Sequence, residues 1–78
     1  MFKKTTTFET VKFTRNDEKI VNLFKIDDKY AVVLIDRETN AILWHKNDMR
    51  LDEADIVYNK TVFENGLADV PVQFAVKG

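Results

Sequence analysis

The chain has 78 residues and a mass of 9.1 kDa. That is one small domain, residues 1–78, burying about 60–65% of its surface on folding: one thin core, and no room for a deep enzyme cleft. The absence of cysteine excludes disulfide frameworks, zinc knuckles, iron–sulfur sites and thiol catalysis. Twelve basic and thirteen acidic residues leave a net charge of −1, which argues against both a strongly basic nucleic-acid binder and an acidic DNA mimic.

The 45% apolar and 32% charged content is that of a folded domain rather than a disordered tail. No apolar run is long enough to cross a membrane, and Lys3 and Lys4 have no apolar h-region behind them. The expectation is a cytoplasmic protein with no membrane contact. Val, Ile and Thr make up 21 of the 78 residues, with six Phe beside them, and favour strands.

Along the first strand, from Thr5 to Thr14, Phe8 falls out of phase with Val11 and Phe13, so a bulge is expected near Glu9–Thr10. A polar turn over 15–19 leads into a second strand, Ile20 to Ile26. Its Ile20, Phe24 and Ile26 point one way and Val21 and Leu23 the other. Tyr30 to Ile35 is apolar throughout and predicts a strand covered on both faces. Asp36 to Asn40 suits a short hairpin loop with Asn40 in the left-handed conformation, returning the chain through Ala41 to Lys46.

Residues 52–66 support two readings. As a helix, Asp52 caps the start, Glu53 and Asp55 suit the dipole, and Asn65–Gly66 suits the end. Ala54, Val57, Tyr58, Thr61 and Val62 then share one face. As a hairpin, Asn59–Lys60 would turn between two β-branched runs. Caps and charges favour the helix. Val70, Val72, Phe74 and Val76 alternate as a last strand, with Pro71 near its start. The fold expected is α+β: a four-stranded antiparallel meander, one helix and a C-terminal strand (ββββαβ), with an all-β small barrel as the alternative.

Little chemistry is encoded. The sequence holds one histidine, His45, and no serine, so no Ser–His–Asp triad can form. Gly66 and Gly78 are the only glycines, which removes phosphate-binding loops. Asp48, Asp52, Glu53 and Asp55 lack the spacing of a calcium loop and read as helix-start charges. No catalytic residue, metal or cofactor is expected. An enzyme using His45 with these carboxylates ranks last.

Two association readings remain. If 53–65 is helical, Ile56 and Phe63 lie opposite its core-facing stripe, and Trp44 with Val21, Val33 and Ile35 exceeds what one helix can cover. The leading expectation is a non-catalytic interaction module, a homodimer or an accessory subunit of a larger protein, with Trp44, Ile56 and Phe63 in the contact. The alternative is a weak single-stranded nucleic-acid-binding module. Residues 1–25 carry a net +3 and residues 48–69 a net −4, and the basic hairpin offers Lys3, Lys4, Lys12, Arg15 and Lys19 beside Phe8 and Phe13. Against it, the phenylalanines are expected to form the core, with the lysines on its solvated back.

Overall fold

A computed structural model describes residues 8–74. Four strands run in succession, β1 (Phe8–Arg15), β2 (Lys19–Ile26), β3 (Lys29–Asp36) and β4 (Ile42–Met49), followed by α1 (Leu51–Glu64) and β5 (Gln73–Phe74). They form one open antiparallel sheet of order β4-β3-β2-β1-β5. The ββββαβ expectation holds. The barrel alternative fails because β4 and β5 lie at opposite edges and do not meet.

The turns follow from local chemistry. Asp27 and Asn40 take left-handed φ values of 56° and 63°, which their short polar side chains tolerate. Asn16 Oδ1 accepts hydrogen bonds from the backbone N–H groups of Glu18 and Lys19, fixing the first turn. In the third hairpin the Asn40 N–H donates to the Asp36 carbonyl at 2.8 Å. The bulge expected near Glu9–Thr10 is present, between Thr10 and Lys12. Val11 therefore turns towards the core, and Phe8 and Phe13 share the other face.

The chain over 51–64 is a helix, not a hairpin. It starts one residue before Asp52. Arg50 is the N-cap and makes no side-chain cap hydrogen bond, while Asp52 and Glu53 lie in the positively polarised first turn. Buried β-branched Thr61 satisfies its hydroxyl by donating to the Val57 carbonyl at 2.8 Å. The helix ends in a Schellman motif: the Gly66 N–H donates to Phe63 and the Leu67 N–H to Val62. Gly66 takes φ 72°, and buried Leu67 packs in the same cluster as Val62.

The core lies between α1 and one sheet face. Val21 and Leu23 of β2, Val32 and Leu34 of β3, and Met49 of β4 meet Ala54, Tyr58 and Val62 of the helix. Polar residues on this face match polar residues on α1. The Tyr58 hydroxyl pairs with the buried Thr14 hydroxyl, and Lys12 Nζ bonds Asp55 at 2.8 Å while lying 4.8 Å from the Tyr58 ring centroid. Burial pushes the Tyr58 phenol above its ordinary value, against a smaller opposite pull from the Thr14 hydrogen bond. Among the described residues, α1 covers one face of β3, no element packs on the other, and β5 extends only over Gln73–Phe74.

Candidate interaction surface

Strand alternation sends the other half of the sheet's side chains away from the helix. Cross-strand pairing arranges them in four rows. Arg15, Ile20, Ile35 and Ile42 form the first; Phe13, Asn22, Val33 and His45 the second; Thr10, Phe24 and Ala31 the third; Phe8, Ile26 and Lys29 the fourth. None of these residues belongs to the core cluster beneath α1 or packs against it, although Ala31 in the third row is itself buried. Phe8 and Ile42 are 59% and 62% exposed, and Phe13, Ile20, Phe24, Ile26, Val33 and Ile35 are half-buried. The Phe8 and Phe24 rings touch across the strands, with centroids 4.8 Å apart. No described element covers this face.

The phenylalanines expected in the core are therefore on the open face. The core is built instead from smaller aliphatics, Met49 and Tyr58. The sheet pairs large residues on both sides, and the helix occupies the side where Thr14 and Lys12 find partners.

A second exposed apolar feature lies on α1. Ile56 and Phe63, 69% and 74% exposed, are two turns apart on the outer ridge. Trp44 opposes core residue Leu34, so it faces the helix side of β4, and it is 42% exposed. The three residues expected at a partner contact are all exposed, yet none lies on the open sheet face.

The basic set is divided as well. Lys12 and Lys19 turn to the helix side, Lys12 onto Asp55 and Lys19 Nζ onto Asn65 Oδ1 at 3.2 Å. Arg15 stays with the phenylalanines, its guanidinium 5.8 Å from the Phe13 ring centroid. Lys3 and Lys4 lie outside the described residues.

Among the described residues, His45 and the carboxylates of 52–55 lie on different faces of the sheet. His45 lies on the open face opposite Val33, whereas Glu53 pairs with Lys46, Asp52 with Arg50 and Asp55 with Lys12 on the helix side. Among the described residues, no group of three or more His, Asp or Glu side chains is placed to hold a metal ion. The β2–β3 turn, with Asn47 and Asp48, lines a shallow depression of about 270 Å³, below the usual range for small-molecule sites. No described helix is long and apolar enough to cross a membrane.

Compared with family models, curated proteins and solved structures, the chain matches none.

Proposed function

We propose that the protein is a non-catalytic interaction module that works as a homodimer or as an accessory subunit bound to a larger protein, with the open sheet face as its main contact surface. One observation carries this reading. Phe13, Phe24 and Val33 occupy the middle rows of a face on which no described element packs, with Ile35 in the adjoining end row. Apolar patches of this extent, where they persist on folded proteins, mark interaction sites.

The helix ridge of Ile56 and Phe63 is a second, smaller contact candidate. Nucleic-acid stacking on Phe8 and Phe13 has weaker support, because Lys12 and Lys19 turn away from those rings. Stacking platforms combine aromatic rings with cations along the same groove.

The test compares the native chain with two double variants, Val33→Lys/Ile35→Lys on the sheet and Ile56→Asp/Phe63→Asp on the helix. Light scattering after size exclusion gives the mass, circular dichroism the fold, and absorbance at 260 nm any bound nucleic acid. The sheet variant is expected to stay folded and lose association. Association unchanged in both variants overturns the reading. Single-stranded nucleic acid bound with a steep salt dependence would replace it.

A further inference from the structure

We infer that the occupant of the open face is a second copy of this chain, packed sheet to sheet about a two-fold axis that passes at Asn22. The inference rests on the interaction reading above and goes beyond it by naming the partner and the residue at the axis.

Area is the first argument. Four strands about 4.8 Å apart and eight residues long at about 3.3 Å per residue project a face of roughly 500 Å². Two such faces, fully covered, would remove about 1,000 Å² from water, which reaches the threshold for a specific interface. A small peptide would leave most of the face bare.

Charge is the second. The four cross-strand rows contain no acid, and their cations, Arg15 and Lys29, lie in the two end rows. An uncharged centre with a polar rim is the anatomy of a protein–protein interface, and with no charges at its centre two copies can face each other without repulsion.

The third argument is Asn22. It occupies the middle of β2, within the apolar face between Phe13 and Val33, and among the described residues its side chain has no hydrogen-bond partner. Covering the face with an apolar surface would strand that amide at a cost. A carboxamide is both donor and acceptor, so it is complementary to its own copy. On a two-fold axis each residue meets itself, and facing sheets about 10 Å apart are spanned by two asparagine side chains meeting end to end.

The β4 edge of the sheet offers a competing route to self-association, and it is blunted. β4 pairs with β3 through two register shifts, and Asp48 takes φ 59° near its end. Bulges of this kind bend an edge away from further pairing.

The experiment places opposite charges at the axis. Native chain, Asn22→Asp and Asn22→Lys are each measured by light scattering, and the two variants are then mixed. The native mass is expected near twice 9.1 kDa, halved in each variant alone and restored in the mixture. Only a residue that meets its own copy gives this pattern. A native dimer that both variants leave intact overturns the sheet-to-sheet packing. Loss in both without restoration overturns the axial position of Asn22. A native chain monomeric at every concentration overturns the homodimer, and the interaction reading then stands or falls on whether Val33→Lys/Ile35→Lys abolishes binding of a foreign protein.

Should the charged variants unfold, Asn22→Cys serves, since the chain has no other cysteine. A short bismaleimide is expected to join Asn22→Cys chains into covalent dimers and to leave Lys60→Cys, on the exposed side of α1, as monomer. Equal yields from the two overturn the inference.

Discussion

Tyr58 links the helix to the sheet through three different contacts: a buried ring, a hydroxyl paired with Thr14, and the Lys12 ammonium near the ring face. Tyr58→Phe removes one hydroxyl and leaves the other buried and unpaired, which costs about 1–3 kcal/mol. Adding Thr14→Val is expected to recover most of that loss, and urea denaturation of the two single variants and the double variant measures it. Burial also raises the phenol pKa in the folded state. The contribution is full below the unfolded value near 10 and is lost as pH rises through the folded value. Stability of the native chain is therefore expected to fall above about pH 10, and the fall should be smaller in Tyr58→Phe. The part played by these residues was only partly visible beforehand. Helical spacing put Tyr58 and Thr61 on the buried stripe, but nothing in spacing showed that Thr14 and Lys12 would meet the helix. Those contacts span more than forty residues of chain, and they help decide which sheet face the helix covers. With both faces of β2 apolar, periodicity could group Phe24 with Ile20 and Ile26, yet could not say that this group would be the uncovered one.

At the scale of elements, α1 is well terminated at one end and poorly at the other. Its C-terminus has Gly66 at φ 72°, with nothing within 4 Å of an added Cβ. Gly66→Ala is expected to destabilise by roughly 1–2 kcal/mol through backbone conformation alone. Leu67→Ala, which opens the core beneath the same turn, is expected to cost about 2–5 kcal/mol. The N-terminus is the reverse case. Arg50 has extended cap geometry, φ −77° and ψ 163°, without a capping side chain. Arg50→Ser supplies the missing acceptor and is expected to stabilise by about 0.5–2 kcal/mol. The ion pair it gives up, Arg50–Asp52, is largely exposed and contributes little. Thermal denaturation of the three variants checks the order. The sequence showed the Asn65–Gly66 stop clearly, because left-handed glycine has few other uses. It misplaced the start, because Asp52 has the chemistry of a cap but lies inside the first turn, where its carboxylate also pairs with Arg50.

Across the whole molecule, element order was legible because turn residues and strand alternation mark each hairpin, and the helix stop is strong. The extent of β5 and the cover of β3 were not, since both depend on which surfaces remain after the helix has docked. The two-layer arrangement leaves Phe24, Val33 and Ile35 outside the core, so an association that covered them would add to stability. If two copies share that face, the melting temperature should rise with protein concentration, as mass action requires. Calorimetry at a low and a high concentration measures it. Asn22→Asp should melt at a temperature independent of concentration and below that of the native dimer.

The connectivity of the meander also bears on the order in which the molecule assembles. β1, β2, β3 and β4 pair with their chain neighbours across turns of only a few residues, and hairpins of that kind close in microseconds. During synthesis all four strands leave the ribosome before α1 does, at about 5–20 residues per second. The nascent sheet passes through an interval with both faces wet. The helix then closes one of them from within the same chain. If a second copy covers the other, its aromatic rows stay in water until that copy arrives, the span between translation and encounter is when this chain is most open to misassociation, and crowding of nascent chains on one messenger would shorten it.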